Sequence, residues 1–400
     1  MNILIVTSNY FPEPLGIGLY SYDLATLLTQ QGHRVTVLTT IPYYPWWKTP
    51  QEYEIFACKK ATLDGVDVYR TSLKLGKTQS TIGRIAFELR LWLGLRRVFK
   101  LITNRKFDKI ISIIPSLGAG MVARMASKSN SVPHYLIIQD ITTNGVSESG
   151  MSSGSILRHS IMLIEGRIIR SASSVAVISQ NMIQSIKKIS DSPTEIVYLP
   201  NYETGVDFLS EHLDRSHFEI PLDKFVVMHA GSIAKKQNLE ILVEAARILQ
   251  GKEIIFYLFG HGNALDEVSK LSQNLSNFYI KPSVPKDEFK SLLKMADLLI
   301  VNERATQVSM ALPSKLISYF SSEVPVLAAV PENGATYQAV EGLAFWTEAG
   351  NPHALAEAIQ AIAALPAERR ANAKAARNYY ENNLTGPAGR QRYLNWLFES

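Results

Sequence analysis

The chain has 400 residues, 46% of them hydrophobic and 19% charged, with a formal net charge of +5. The length predicts two domains, and the composition is typical of soluble globular proteins. Cys58 is the only cysteine, which excludes an internal disulfide and fits a reducing compartment such as the cytoplasm. No apolar run reaches the about 18–20 residues of a membrane-spanning helix, and the apolar start ILIV is too short for a signal peptide.

The first half of the chain alternates short apolar runs with helical stretches. Helices are predicted at residues 19–30, 81–103 and 156–170. The predicted strands, in chain order, are NILIVTS, RVTVLTT, VDVYRT, DKIISII, HYLIIQD, SVAVIS and EIVYLPN. Strands that alternate with helices of this length predict a parallel sheet with helices on both faces.

The same pattern starts again after a polar segment between Asn201 and Leu222. Its predicted strands are KFVVMHAGS, EIIFYLFG, NFYI, ADLLIVN and VPVLAA. We therefore predict an α/β chain of two Rossmann-like, doubly wound domains, at residues 1–205 and 206–375. Residues 376–400 are predicted to be a C-terminal helix that packs back on the first domain. Ligands of such sheets bind at the carboxyl ends of the strands, so two halves that face each other would make a cleft.

The stretch PEPLGIG separates the first strand from the first helix and has the shape of a phosphate-binding loop. A dinucleotide-binding fingerprint is disfavoured, because Ser21 stands at the third glycine position and NYFPEP intervenes between the strand and the glycines. The second strand also ends in Thr-Thr-Ile rather than near an acid. No Walker A sequence is present. A loop for another phosphate ligand and a plain strand-to-helix turn remain as alternatives.

Two lysines of the second half lie near predicted helix starts. Lys236 lies between Ser232 and a helix predicted to start near Asn238, and Lys315 follows Ser314 in ALPSKLISYF. Free N–H groups at a helix start can bind an anion together with a lysine. A solvated surface lysine is the alternative at Lys315.

The helix predicted at 81–103 is rich in basic residues, and Glu88 is its only acid. On a helix that turns about 100° per residue, one sector of about 120° holds Arg90, Arg96, Arg97 and Lys100. The apolar residues among or beside them are Leu91, Trp92, Leu95, Val98 and Phe99. This pattern is typical of a helix at an anionic membrane surface, and the loop YYPWW, with Trp46 and Trp47, is typical of headgroup level. A helix packed on its own sheet with a solvated basic face is the alternative. Nucleic acid is disfavoured, because no recognition motif accompanies the charge.

Over its full length the sequence resembles a family 4 glycosyltransferase of GT-B architecture. It is similar to the subgroup that builds colanic acid, O-antigens and related exopolysaccharides and that includes the fucosamine transferases. The stretches that carry the resemblance are NYFPEPLGIGLYSYDLA, QGHRVTVLTTIPYYPWW, LIIQD, HAGSIAKKQNLE, LFGHG and LPSKLISYF. The resemblance implies a retaining hexosyl- or N-acetylhexosaminyltransferase without metal or other cofactor. Its co-substrate would be a nucleotide-diphospho-sugar, UDP-linked, and its acceptor a polyprenyl-diphosphate-linked saccharide at the inner face of the cytoplasmic membrane.

The resemblance also implies roles for individual residues. Donor contacts are implied for Gly16, Gly18, Ser232, Lys236, Ser283, Val284, Ser314 and Lys315. The glycines would form a loop that meets the donor diphosphate, and the segment at 283–284 would read the nucleobase through its backbone. Much of family 4 carries two glutamates with seven residues between them. Here these positions are Gln307 and Lys315, which implies a more electrostatic grip on the diphosphate.

Two carboxylates complete the predicted site. Asp140 ends the strand HYLIIQD and is a candidate to orient or deprotonate the acceptor hydroxyl, with a cap of the following TTNG segment as the alternative. Glu303 ends LLIVNE and is a candidate sugar contact. The eight histidines form no ligand pair at helical spacing and no acidic cluster accompanies them, so no metal site is predicted. A GT-B nucleotide-sugar 2-epimerase and a non-catalytic sugar-nucleotide or lipid-binding relative remain as alternative functions.

Overall fold

A computed structural model of the chain describes residues 1–13, 16–44, 47–53, 58–75, 81–141, 155–190, 194–204, 213–306 and 313–399. The chain forms two compact units. Residues Met1–Leu199 and Arg390–Ser400 make the first unit, and Pro200–Gly389 makes the second.

The first unit is built on an eight-stranded sheet. Its strands are β1 (Asn2–Thr7), β2 (Arg34–Thr40), β3 (Cys58–Leu63), β4 (Val66–Thr71), β5 (Lys109–Ile114), β6 (His134–Ile138), β7 (Ser174–Val177) and β8 (Glu195–Tyr198). Their order across the sheet is β3-β4-β2-β1-β5-β6-β7-β8. The central register pairs Ile5 with Val37 on one side and with Ile111 on the other, both in parallel. The predicted parallel sheet is confirmed, and β3 adds an antiparallel edge that the sequence did not predict.

The helices described in the first unit's main segment are α1 (Ile17–Gln30), α2 (Thr81–Leu101), α3 (Leu117–Asn130), α4 (Ser155–Ile169) and α5 (Gln180–Ile189). The predicted helices are confirmed as α1, α2 and α4. The sequence did not predict α3, because its buried side is made mainly of Gly and Ala and gives little apolar periodicity. Ser116 caps α3 by accepting a hydrogen bond from the Ala119 amide over 3.3 Å.

The second unit is built on a six-stranded, wholly parallel sheet. Its strands are β9 (Phe225–Ala230), β10 (Ile254–Phe259), β11 (Phe278–Lys281), β12 (Leu298–Asn302), β13 (Val326–Ala329) and β14 (Phe345–Thr347), in the order β11-β10-β9-β12-β13-β14. Both faces of the sheet are buried under apolar side chains, such as Met228 on one face and Val227 on the other. Burial on both faces explains why these strands are near-continuous apolar runs in the sequence.

The helices described in the second unit are α6 (Glu240–Ile248), α7 (Leu265–Ser272), α8 (Lys286–Lys294), α9 (Ser314–Ser321), α10 (Ala335–Val340), α11 (Pro352–Ala363) and α12 (Pro366–Asn383). The domain boundary predicted at 375 falls inside α12. This helix stays with the second unit because Ala376 and Tyr380 are buried in its core.

The last helix, α13 (Gly386–Phe398), carries the chain into the first unit. Arg390 donates to both carboxylate oxygens of Asp23 on α1, over 2.5 and 3.0 Å. Trp396 donates from its indole nitrogen to the Ser174 hydroxyl over 2.8 Å. The paired geometry at Arg390 and the buried indole explain why only the end of the chain, and not α12, joins this unit.

A buried histidine makes the first unit sensitive to acid. His134 at the start of β6 is fully buried, with Nε2 2.7 Å from the Ser112 hydroxyl. Burial lowers the pKa of its ring from 6.5 to about 4. The unfolded chain therefore binds a proton at this residue between these pH values while the folded chain does not, so stability is lost as pH falls below 6.5.

We expect His134 to cost about 2 kcal/mol of unfolding free energy between pH 7.5 and pH 5. The His134→Gln variant should show a flatter dependence of its urea midpoint on pH over this range. His353→Gln, at an exposed position on α11, should keep the wild-type slope. An unchanged slope in His134→Gln would contradict the assignment.

Candidate active site

The loops that follow β9 to β12 leave one edge of the second sheet, because these strands are parallel. Two of the loops meet backbone to backbone. A Cβ at Gly260 would lie 1.8 Å from the Gly231 carbonyl oxygen, so only glycine fits there. The Ile233 amide donates to the His261 carbonyl over 2.8 Å and joins the same two loops. Gly260 and Gly262 of LFGHG therefore allow the loops after β9 and β10 to pack closely against each other.

The helix predicted to start near Asn238 is present as α6, and it begins at Glu240. Residues Lys235–Gln237 form one turn of 3₁₀ helix, and Asn238 then adopts a left-handed conformation with φ of 50°. A left-handed residue interrupts the helical path, so α6 begins only at Glu240. Lys236 is exposed in the middle of this turn.

Two residues at the end of β12 hold this turn by its carbonyls. The Asn302 side-chain amide donates to the Gln237 and Asn238 carbonyls, over 2.7 Å each. Arg304 donates from Nε to the Lys235 carbonyl over 2.5 Å. We call the 3₁₀ turn at Lys235–Gln237 the lysine turn. Because the carbonyls on both sides of Lys236 are held, the backbone of the lysine turn has a defined position at the sheet edge.

Lys315 lies in the first turn of α9 and reaches back to the end of β9. Its Nζ is 3.3 Å from Nε2 of His229, which is fully buried in β9. The Tyr319 hydroxyl fixes α9 against the same strand, because it accepts from the Ala230 amide over 2.9 Å and donates to the Ala230 carbonyl over 3.1 Å. Lys315 is therefore a partly buried cation and not a solvated surface lysine.

Four titratable side chains form a cluster at this edge, namely Lys236, Lys315, His229 and Glu303, and the charge of one changes the pKa of another. Burial, together with the Lys236 charge, lowers the pKa of Lys315 to about 7, while Glu303 opposes this shift. Burial and the Lys315 charge lower the pKa of His229 to about 3, so the imidazole is neutral at physiological pH. Because the Lys236 charge disfavours the charged form of Lys315, a bound anion would be favoured, since it would restore the full charge of Lys315.

Glu303 belongs to the same cluster. Its Oε1 accepts a hydrogen bond from the Thr336 hydroxyl of α10 over 2.7 Å. Its Oε2 is buried, and the described residues offer this atom no hydrogen bond. Burial raises the pKa of the carboxyl, while Lys236 and Lys315 partly oppose the shift. The structure therefore brings Glu303 together with both predicted lysines.

The other residues predicted in this unit lie on the same loops. Ser232 is exposed in the loop after β9, and Ser314 is exposed at the start of α9. The Ser283 hydroxyl, after β11, lies 2.8 Å from His261 Nδ1. Val284 packs against the core on one face of the sheet. Their donor contacts stay predictions.

In the first unit, the predicted glycines lie around the start of α1. Gly16 precedes the helix with φ of 62°, and Gly18 is inside its first turn. A Cβ at Gly18 would lie 3.0 Å from the Glu13 Cβ. Glu13 is buried and accepts at Oε1 from the Tyr43 and Tyr44 amides, over 2.9 Å each. Sequence reasoning missed Glu13, although it is the only charge in the stretch NYFPEPLGIG.

Asp140 follows β6 at the carboxyl edge of the first sheet. Its Oδ1 accepts a hydrogen bond from the Ile141 amide over 2.8 Å. Asp140 is exposed to solvent, but surrounding protein atoms partly desolvate its carboxyl and raise the pKa of this group. The TTNG segment that it was predicted to cap lies outside the described residues. Its role towards an acceptor stays a prediction.

The apolar side of α2 packs into the first unit's core, which corrects part of the interfacial interpretation. The residues buried there are Leu91, Leu95, Val98 and Phe99. Arg96 lies over the Trp92 ring at 5.5 Å from its centroid. Tyr43 of the aromatic loop is likewise buried and packs edge-on against Phe87. The four buried residues of α2 and Tyr43 are therefore not available to a membrane.

The opposite side of α2 is exposed. It presents the cations Arg90, Arg97 and Lys100. Beside these lie Ile85, Leu89 and Leu101, which are 42%, 52% and 68% exposed. Trp47 of the aromatic loop is 48% exposed, and Trp46 lies outside the described residues. Of the helices that the structure describes, none is long and apolar enough to cross a bilayer.

Comparison with known proteins identifies the chain. Residues 16–202 match the family described as "Glycosyl transferase 4-like domain", and residues 210–379 match "Glycosyl transferases group 1". The chain belongs to glycosyltransferase family 4. This glycosyltransferase is 28% identical to an Escherichia coli (strain K12) protein named as the colanic acid biosynthesis glycosyl transferase WcaI, over 99% of each chain. It is 23% identical to a Pseudomonas aeruginosa protein named as the glycosyltransferase WbjE, over 58% of this chain and 60% of that one.

Solved structures place the glycosyltransferase in the GT-B fold class. A sucrose-phosphate synthase of Thermosynechococcus elongatus is 18% identical, with a TM-score of 0.71 over 100% of this chain and 99% of that one. The Anabaena protein HepE, solved in complex with UDP, is 16% identical, with a TM-score of 0.69 over 100% of both chains. The prediction of two Rossmann-like domains is thereby confirmed. Within the described residues, no group of three or more His, Cys, Asp or Glu could hold a metal ion.

Proposed function

We propose that this glycosyltransferase moves a sugar, with retention of its anomeric configuration, from a UDP-sugar to a polyprenyl-diphosphate-linked saccharide. The observation that carries the proposal is the pair of lysines, Lys236 and Lys315, which share one electrostatic cluster at the carboxyl edge of the second sheet. Two relatives support the substrate class, since WcaI is named for colanic acid biosynthesis and HepE was solved with UDP-glucose. We place the reaction in envelope polysaccharide biosynthesis.

Donor activation follows from the charge of the leaving group. A departing nucleoside diphosphate gains negative charge as the glycosidic bond breaks, and preorganised cations stabilise that charge more than they stabilise the intact donor. Lys236 and Lys315 would supply these cations. Glu303 would accept a hydrogen bond from a sugar hydroxyl at Oε2, the atom that the described residues leave without a partner.

On the acceptor side, we assign Asp140 as the group that orients or deprotonates the attacking hydroxyl. Partial desolvation raises the pKa of this carboxyl, which makes it a stronger base than a fully solvated aspartate. The exposed cations and apolar residues of α2 would hold the first unit at the anionic inner face of the cytoplasmic membrane, where a lipid-linked acceptor is anchored.

A donor panel tests the proposal. UDP-sugars and other nucleotide-sugars are added one at a time, and the rise in melting temperature identifies the donor, since a ligand at about 100 times its Kd adds about 2.7 kcal/mol of stability. Turnover is then measured with and without a polyprenyl-diphosphate-linked saccharide. Acceptor-dependent release of UDP with a retained anomer, seen by NMR, is expected. Acceptor-independent change of the donor sugar would indicate an epimerase, and binding without turnover a non-catalytic relative.

Transfer should survive removal of divalent cations. The two lysines would provide the positive charge that a metal ion provides in other transferases, so turnover in excess EDTA is expected to equal that in magnesium or manganese. Initial rates of UDP release measure this. Loss of turnover in EDTA, restored by either metal, would contradict a lysine-based mechanism.

A further inference from the structure

Gln237 is a buried polar residue at the carboxyl edge of the second sheet, where the donor site is proposed. No role was predicted for it from the sequence. It is the last residue of the lysine turn and only 9% exposed. Its backbone is fixed at both ends, because its amide donates to the Ala234 carbonyl over 2.8 Å and its carbonyl accepts from Asn302 over 2.7 Å. This fixed backbone limits the directions in which the Gln237 side chain can extend.

The orientation of the Gln237 amide follows from its neighbours. The group facing its nitrogen must accept, and the group facing its oxygen must donate. With the nitrogen donating to the Ser232 carbonyl, the oxygen accepts from Lys315 Nζ over 2.7 Å. One amide thereby connects the loop after β9 to the first turn of α9.

We infer that Gln237 is a positioning residue, whose side-chain amide holds the Lys315 ammonium at the diphosphate site. This inference rests on the proposed function for the identity of the anion, but the contact itself does not. The other groups that face Lys315 are His229, Lys236 and Glu303. His229 is neutral, and the two charged neighbours act in opposite directions, so the amide oxygen at 2.7 Å is a close neutral acceptor for the ammonium.

Positioning matters here because Lys315 is easily neutralised. A buried ammonium keeps its proton only where acceptors surround it, and burial already lowers the pKa of Lys315 to about 7. Without the Gln237 acceptor, the neutral amine becomes more favourable. The site would then present less positive charge to a diphosphate at neutral pH.

Trace acetylation of the ligand-free protein tests the contact. Only the neutral amine reacts, so the yield of acetylated Lys315 against pH, read by mass spectrometry relative to the exposed Lys252, gives its titration midpoint. Gln237→Leu should move this midpoint to lower pH and Gln237→Glu to higher pH, by about half a unit or more each. Lys236→Met, which removes a neighbouring cation, should raise the midpoint and shows that the assay responds.

Calorimetry with UDP tests the consequence. Gln237→Leu should bind UDP about five- to tenfold more weakly at pH 7, the change expected for one lost hydrogen bond. Gln250→Leu, the same change at an exposed site after α6, should bind as the wild type does. If neither Gln237 variant moves the Lys315 midpoint while Lys236→Met does, the inference is overturned. If the midpoints move but the wild type does not bind UDP, the proposed function fails and the contact stands.

Discussion

Lys315→Met is expected to weaken UDP binding about ten- to a hundredfold, and Lys236→Met by a similar factor, while both variants stay folded. A charge-assisted hydrogen bond to a phosphate oxygen is worth about 1.5–3 kcal/mol, and each variant removes one such cation. Lys315 is partly buried, so its loss should lie at the upper end of the range. Isothermal titration calorimetry at pH 7 measures both affinities.

Lys252→Met provides the matched control, because it removes the same charge from an exposed position before β10, at the opposite edge of the sheet. Its affinity for UDP should equal that of the wild type at low ionic strength, which separates a local contact from the effect of net charge. Unchanged affinity in both Lys315→Met and Lys236→Met would refute the assignment of the donor site.

The protonation of Lys315 gives a second readout of the same site. Since its pKa is about 7 in the free protein, a large share of the molecules carry the neutral amine at pH 8. A bound diphosphate favours the ammonium, so UDP binding at pH 8 should take up protons. Calorimetry in buffers of different ionisation enthalpy detects this uptake, and Lys315→Met should abolish it.

Much of the fold could be predicted because the buried parallel strands are continuous apolar runs with helices between them. The prediction failed where local sequence carries little of that signal. β3 is an edge strand, CKKATL, in which no residue is fully buried, and its pairing depends on β4 rather than on its own pattern. The buried side of α3 is mostly Gly and Ala, which marks close packing rather than apolar periodicity.

The candidate site was predicted only as far as its lysines and Glu303. Lys236 lies in the loop after β9, and Lys315 lies in the first turn of α9. The alternation of predicted strands and helices locates both of these positions. Their neighbours could not be predicted in the same way, because Gln237 and His229 act through contacts with residues far away in sequence. The one available signal was a histidine inside the buried strand KFVVMHA, where a polar side chain needs a partner.

The basic helix shows a different limit of sequence reasoning. An apolar residue such as Leu91 or Val98 is stable both in a membrane and in a protein core. The sequence pattern alone therefore does not distinguish a membrane-facing helix from a core-packed one. The structure buries both in the core and leaves Leu89 and Leu101 exposed beside the cations. The exposed side of α2 is therefore the surface on which membrane binding should be tested.

Charge reversal of Arg90, Arg97 and Lys100 to Glu is expected to abolish association with anionic liposomes. Each basic residue near an anionic surface contributes about 1 kcal/mol, so three of them supply a few kcal/mol, and the reversal turns this attraction into repulsion. Wild-type binding should fall steeply with salt, because the Debye length shrinks from about 10 Å at 0.1 M to about 3 Å at 1 M. Co-sedimentation with vesicles that contain phosphatidylglycerol measures both effects.

The control variant reverses the same number of charges elsewhere on the first unit, at the exposed Arg34, Lys128 and Lys187. It should still co-sediment, which separates the exposed side of α2 from the net charge of the protein. The α2 variant should keep its affinity for UDP, since Lys236 and Lys315 belong to the second unit. Its transfer to a lipid-linked acceptor in vesicles should be slower. If it co-sediments as the wild type does at low salt, the cations of α2 form only a solvated face, and the acceptor must reach the enzyme without this contact.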